Sequence, residues 1–282
     1  MTAAAVSELR KAYGSFEALR GVTFEIHAGE VFGLLGPNGA GKTTTVEILA
    51  GYRRRDSGTA SVLGEDPERA GSAWRERIGV VLQSSATYAN LTVAESLRLF
   101  AGYYAKPRPV DEVVELVGLQ DKRRARVRTL SGGQKRRLDL GLALVGDPEL
   151  LFLDEPTTGF DPAARRAAWE TIRSLRALGK TILLTTHYLD EAEQLCDRVA
   201  VLREGRLEAI GAPAELAGAE PATEIRYRRE GERLLVRTED PTRELHELTG
   251  RALAEGWRLE ELEVRRPSLE EVYLSLTETE RE

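Results

Sequence analysis

The chain has 282 residues, 41% of them hydrophobic and 30% charged, a composition of one or two globular domains that excludes wholesale disorder. No apolar run approaches the roughly 18 residues a membrane-spanning helix needs, and the opening segment lacks the apolar core of a secretory signal. The 40 basic and 46 acidic residues leave a net charge of −6 and no general attraction for nucleic acid, and the single cysteine, Cys196, excludes an internal disulfide or a cysteine-rich metal site.

In chain order, Val22, Phe24 and Ile26 alternate with polar residues, a turn follows at 27–30, and 31–35 is a continuous apolar run. This reads as a β-hairpin made of a half-buried and a fully buried strand. A glycine-rich loop at 36–41 opens a helix that carries Val46, Ile48 and Leu49 and is closed by Gly51. Residues 78–82 form another buried strand. From 92 to 146 the texture is helical. Thr92 and Glu95 make a capping box ahead of Leu97, Leu99 and Phe100; Asp111 opens a second helix that Gly118 closes; a third opens at Ser131 and carries Leu138, Leu142 and Val145. Strands return at 150–153 and 181–185, separated by a helix that Asp161 caps, Pro162 begins and Gly179 ends. Residues 199–202 and 207–210 read as a hairpin, and 211–221, rich in Gly, Ala and Pro, reads as a linker. Beyond it come strands at 225–228, 234–237 and 257–264, a helix at 245–253 and a last helix capped at 268–271. Strands alternating with helices define an α/β domain over 1–220 with a mostly parallel core sheet and a helical part at about 84–146. Residues 221–282 form a small α+β domain, of marginal stability alone.

Gly36-Pro37-Asn38-Gly39-Ala40-Gly41-Lys42-Thr43 fits the phosphate-loop pattern G-x-x-x-x-G-K-[ST], between a buried strand and a helix as that pattern requires. Its glycines let backbone N–H groups face phosphate oxygens, and the helix N-terminus adds partial positive charge. Lys42 reaches the β and γ phosphates, and the Thr43 hydroxyl ligates Mg²⁺. Residues 150–155 supply the other half of such a site: four apolar residues bury a strand and project Asp154 and Glu155 at its C-terminal end, where open α/β sheets bind ligands. Asp154 belongs near Mg²⁺. Strand alternation sends Glu155 the other way, where it would poise a water for attack on the γ-phosphate.

Leu130-Ser131-Gly132-Gly133-Gln134 holds a second anion-binding helix start. Ser131 and Gln134 make a capping box, yet two consecutive glycines in a first turn cost about 1 kcal/mol each relative to alanine. They are useful when a ligand approaches the bare backbone N–H groups. One nucleotide has no evident need of both starts from one chain. The basic runs 53–55 and 122–128 read as solvated surface, and Cys196 as packing.

These motifs, in this order, resemble those of the ATP-binding subunit of ABC transporters over about residues 1–220. Residues 36–44, ending in Thr44, resemble Walker A; Gln83 the Q-loop glutamine; 130–134 the ABC signature; 150–156 Walker B with Glu155 as catalytic base. Asp161 resembles the D-loop aspartate and His187 the switch histidine, and Tyr13 falls where the family stacks an aromatic on adenine. Phe160 stands where leucine is more usual, and Ser84 and Ser85 where many relatives carry an acidic residue. The resemblance implies a P-loop NTPase fold with a mostly parallel core sheet, an antiparallel β subdomain and a helical signature subdomain. It implies ATP and Mg²⁺ as cofactors, with Gln83 contacting Mg²⁺ or the attacking water and His187 bridging Glu155 to the γ-phosphate. It also implies a head-to-tail homodimer, with ATP held between Walker A of one chain and the Ser131–Gln134 turn of the other, and a separate polytopic membrane permease that keeps the chain on the cytoplasmic face of the cell membrane. The tail at 266–274 resembles drug-resistance-type export ATPases, which favours an exporter. The alternatives are an importer ATPase, or a soluble ABC ATPase acting on nucleic acid or ribosomes. The roughly 90 residues between Walker A and signature, without sustained heptads, and the single ATPase unit weigh against the latter.

Overall fold

The computed structural model describes residues 1–82, 88–217, 223–229 and 231–265. The chain divides into two compact units, Met1–Ile210 and Gly211–Glu282.

In the first unit, strands β1 (Thr2–Tyr13), β2 (Phe16–His27) and β4 (Ser57–Val62) form an antiparallel sheet in the order β2-β1-β4. The second sheet has six strands: β3 (Val31–Leu35), β5 (Ile78–Val81), β6 (Leu150–Asp154), β7 (Thr181–Thr186), β8 (Arg198–Arg203) and β9 (Arg206–Gly211). Their order is β5-β6-β7-β3-β8-β9, and every pairing from β5 to β8 is parallel.

The expected hairpin over 22–35 does not form. β2 pairs with β1, and β3 enters the other sheet between β7 and β8. The reason lies in burial: every residue of β3 is buried, which an interior parallel strand covered on both faces satisfies and a hairpin arm with one solvated face does not. β1 carries little strand texture in its Ala3-Ala4-Ala5 start; pairing on both sides, with β2 and β4, supplies what propensity lacks.

The two sheets meet over a core that includes Phe24 and Phe32, whose rings stack at 5.3 Å, and buried residues of helix α1 (Lys42–Leu49). The short helix α2 (Ser72–Arg75) buries Trp74, and its indole N–H donates to the Val62 carbonyl at 2.9 Å. Among the described residues between β5 and β6 lie the α-helices α3 (Val93–Ala101), α4 (Val110–Leu116) and α5 (Gly132–Leu144). Complete capping boxes start α3 at Thr92 and α5 at Ser131, each cap stabilising by about 1 kcal/mol. Helix α6 (Pro162–Ala177) and the short α7 (Leu189–Leu195) flank β7 in sequence. Cys196, just past α7, packs its Sγ where a Cβ on Gly33 would sit, and burial pushes its thiol well above the usual range, so it is inert packing.

The second unit holds a short helix α8 (Pro213–Ala217), inside the stretch that reads as a linker. A three-stranded antiparallel sheet of β10 (Thr223–Arg229), β11 (Glu232–Thr238) and β12 (Glu260–Arg265), in the order β11-β10-β12, is accompanied by helix α9 (Pro241–Glu255). The expected helix from 268 lies outside the described residues.

Candidate nucleotide-binding site

Parallel register gathers the candidate residues. Leu35 lies opposite Thr186, Asp154 opposite Thr185, and Val81 opposite Leu153, so β3, β5, β6 and β7 all end at one edge of the sheet. From that edge emerge the phosphate loop, the two carboxylates and His187, at the C-terminal side where such sheets take ligands. Gln83, with Ser84 and Ser85, lies outside the described residues.

The phosphate loop leaves β3 with Pro37, Asn38 and Gly39 exposed at its tip and Gly36 and Ala40 buried at its base. Gly41, the N-cap of α1, has φ +105°, and a Cβ there would lie 2.7 Å from the Ala18 carbonyl oxygen; only glycine fits. Lys42 is buried. Its Nζ donates to the carbonyls of Gly36 at 2.8 Å and Pro37 at 3.1 Å and lies 3.7 Å from Glu155 Oε1. Burial pulls its pKa below the ordinary lysine value, opposed by the charges of Glu155 and Asp154. Thr43 Oγ1 donates to Asp154 Oδ2 at 3.0 Å, and Thr44, half-buried, follows it on the same turn.

Both carboxylates face this loop, which corrects the expectation from strand alternation. Asp154 is the last residue of β6, and Glu155 has φ +48°, the left-handed region. That turn, which costs on the order of 1–2 kcal/mol for a residue with a Cβ, swings Glu155 back toward Lys42. Glu155 is held from three directions. Its N–H donates to Thr185 Oγ1 at 3.0 Å, Thr158 Oγ1 donates to its Oε2 at 3.1 Å, and His187 Nδ1 lies 3.4 Å from its Oε1. The Thr185 hydroxyl in turn donates to Asp154 Oδ1 at 2.5 Å. Thr43 Oγ1 and the Asp154 oxygens thus form a pair of adjacent hard oxygen donors. Mg²⁺ suits such a site, since it takes one or two protein ligands and completes its shell with phosphate and water.

Thr185 and Thr158 escape the motif reading. A threonine at the end of a strand reads as β-propensity, and the sequence does not distinguish Thr185 from its neighbour Thr186; only the fold shows that it has no exposure at all.

The remaining candidates stand apart from this group. Ser131 Oγ accepts from the Gln134 N–H at 3.3 Å, and Gln134 Oε1 accepts from the Ser131 N–H at 3.0 Å. Among the described residues no hydrogen bond joins 131–134 to the phosphate loop. A Cβ on Gly132 would meet nothing within 4 Å, and one on Gly133 only the Ala164 methyl at 3.6 Å. The chain's own packing therefore does not require either glycine. Asp161 caps α6, its Oδ1 accepting from the N–H groups of Ala163 and Ala164 at 2.9 Å each, and so holds the first turn of α6 beside Gly133. Tyr13 is 40% exposed with the Arg53 guanidinium 5.1 Å from its ring centroid. Of the basic runs, Arg55 is not simply solvated: it makes a two-pronged pair with Asp66 at 2.8 and 2.7 Å.

A phosphate loop at the edge of a parallel sheet, an acidic pair facing it and a helical insertion define a P-loop nucleotide-binding cassette. The profile of the ABC transporter family matches residues 19–158. Nod factor export ATP-binding protein I of Rhizobium sp. (strain N33) is 43% identical over 299 residues, covering 97% of this chain and 96% of that protein. The protein of the same name from Paraburkholderia xenovorans (strain LB400) is 47% identical over 223 residues, covering 77% and 73%. Among solved structures, an ATP-binding subunit of an ABC transporter matches with a TM-score of 0.72 at 26% identity, over 97% of this chain and 99% of that one. The chain belongs to the ABC transporter family, as an ATP-binding, ATP-hydrolysing subunit.

Proposed function

We propose that this chain powers export through a separate membrane permease, by closing a head-to-tail pair of ATPase subunits on ATP and reopening them on hydrolysis. The observation that carries the catalytic part is the meeting of Lys42, Glu155 and His187 beside the Thr43–Asp154 oxygen pair. The export part rests on relatives that are named export ATP-binding proteins.

In this reading, Lys42 exchanges the carbonyls of Gly36 and Pro37 for β- and γ-phosphate oxygens, and the N–H groups of 36–44 complete the cradle. Thr43, Asp154 and Gln83 hold Mg²⁺, which when bound neutralises charge on the β and γ phosphates. Glu155 accepts the proton of the attacking water as the water's oxygen bonds to the γ-phosphorus and the bond from that phosphorus to the β–γ bridging oxygen breaks, leaving ADP and inorganic phosphate. His187 holds the Glu155 carboxylate in place and hydrogen-bonds the γ-phosphate. Tyr13, edged by Arg53, stacks on adenine. Ser131 and the open backbone at Gly132 and Gly133 receive the γ-phosphate of ATP bound to the partner, which explains glycines that the chain's own packing does not require. Asp161 sets the adjoining turn.

The permease docks in the groove of about 620 Å³ between the parallel sheet and the helices, where Tyr52, Phe100 and Tyr104 line the walls beside Leu82, the residue before Gln83. Docking there attaches the chain to the cytoplasmic face of the membrane. The second unit is an accessory domain of this ATPase.

Steady-state Mg-ATP hydrolysis tests the site. Glu155→Gln removes the base but keeps the shape, and turnover falls about 10²-fold or more with ATP affinity retained. Equal turnover in variant and wild type contradicts the role given to Glu155.

A further inference from the structure

Two carbonyls of the acidic turn and a third at the end of β5 are bound by one side chain from another part of the fold. Arg136 lies on α5, five residues beyond the Ser131 cap. Its Nη1 donates to the Leu82 carbonyl, and its Nη2 to the carbonyls of Asp154 at 2.6 Å and Glu155 at 3.3 Å. Leu82 follows the end of β5 and directly precedes Gln83; Asp154 and Glu155 carry the carboxylates of the site. A guanidinium carries five N–H donors in a rigid planar fork, so it can serve carbonyls on separate segments in one fixed geometry, and it keeps its charge when half-buried. The brace also falls on the left-handed turn at Glu155, a conformation that persists only when its surroundings over-determine it.

We infer that Arg136 is a positioning residue for hydrolysis: it ties the signature helix to the backbone that aims Glu155, so that the Ser131 turn and the acidic pair move as one body. The sequence conceals this, because an arginine in a Lys135-Arg136-Arg137 run reads as helix surface. The inference rests on the reading of Glu155 as the base.

The test is a double-mutant cycle on the full chain, read by single-turnover hydrolysis of labelled Mg-ATP and by fluorescent-nucleotide binding. Arg136→Lys keeps the charge but replaces the fork by a single ammonium. It lowers the hydrolysis rate roughly tenfold or more, the scale of a small misplacement of a reacting group, and leaves nucleotide affinity within about twofold. In the Glu155→Gln background the same change lowers the residual rate by less than about twofold, because Arg136 acts through Glu155. An Arg136→Lys rate equal to wild type overturns the inference, and so does an equal loss in both backgrounds. Arg136→Gln is measured in parallel; if both variants lose nucleotide binding as well, Arg136 is a structural brace only and the inference falls. A Glu155→Gln chain with full turnover removes the base reading instead, whatever the Arg136 variants do.

Discussion

One hydroxyl ties together the two acidic residues of the site, one by its carboxylate and the other by its backbone. Thr185 Oγ1 accepts from the Glu155 N–H and donates to Asp154 Oδ1, so the acid that faces Thr43 and the acid that faces Lys42 share a single anchor. Behind them Glu191, buried, accepts at its Oε1 from Thr157 Oγ1 at 2.8 Å and from the Trp169 indole at 3.1 Å, tying the segment after Glu155 to α6 and α7. Burial pushes the Glu191 carboxyl above the usual carboxylate range, against hydrogen bonding from Thr186, Thr157 and Trp169. Its folded pKa is raised, so its contribution to stability is complete below the unfolded pKa and is lost as pH rises through the folded one. Glu191→Gln, neutral and of the same shape, gains on the wild type across that window. Thermal melting at a series of pH values shows a difference in favour of Glu191→Gln that grows as pH rises above the ordinary carboxylate range. A difference constant with pH contradicts it. At this scale the sequence anticipates that Lys42, Thr43, Asp154, Glu155 and His187 come together, the first four through motif spacing and His187 through the family resemblance, but not that Glu155 turns back toward Lys42. Thr185, Thr158, Glu191 and Arg136 were not legible, because each acts through where the fold brings it and none has a local pattern.

Helix α5 shows what an element adds to its residues. Its capping box satisfies the first turn internally, and the same turn presents bare backbone at Gly132 and Gly133 to whatever approaches. Ser131→Arg separates the two jobs. Loss of the cap costs about 1 kcal/mol, too little to unfold a unit of this size. If the turn acts on ATP held by a second chain, the variant binds nucleotide as the wild type does and no longer hydrolyses it; equilibrium binding beside turnover reads both, and loss of binding contradicts the assignment. Elements were legible in the sequence where local signals set them. Thr92, Ser131 and Asp161 all cap the helices their spacing predicts. Pairing was not legible: the apolar run of β3 announces a buried strand, but its neighbours are β7 and β8, about 150 residues away. No turn signal between β2 and β3 reveals that they part to different sheets.

On the scale of the molecule, the parallel sheet makes one edge out of four distant segments, and the phosphate loop, acidic pair and His187 meet there without help from any other chain. The signature turn is built to the same standard and joins none of them by a hydrogen bond among the described residues. In the function we propose, the two anion-binding helix starts of one chain, one beside a lysine and carboxylates and one left open, are complementary halves that two copies arranged head to tail would join twice. The most direct measurement is the sedimentation mass of the Glu155→Gln chain in Mg-ATP and in Mg-ADP, with Glu155→Gln/Ser131→Arg beside it. The single variant doubles its mass in ATP and not in ADP, and the added Ser131→Arg abolishes the doubling. A mass that is the same in ATP and ADP, or a pair that survives Ser131→Arg, contradicts the shared site.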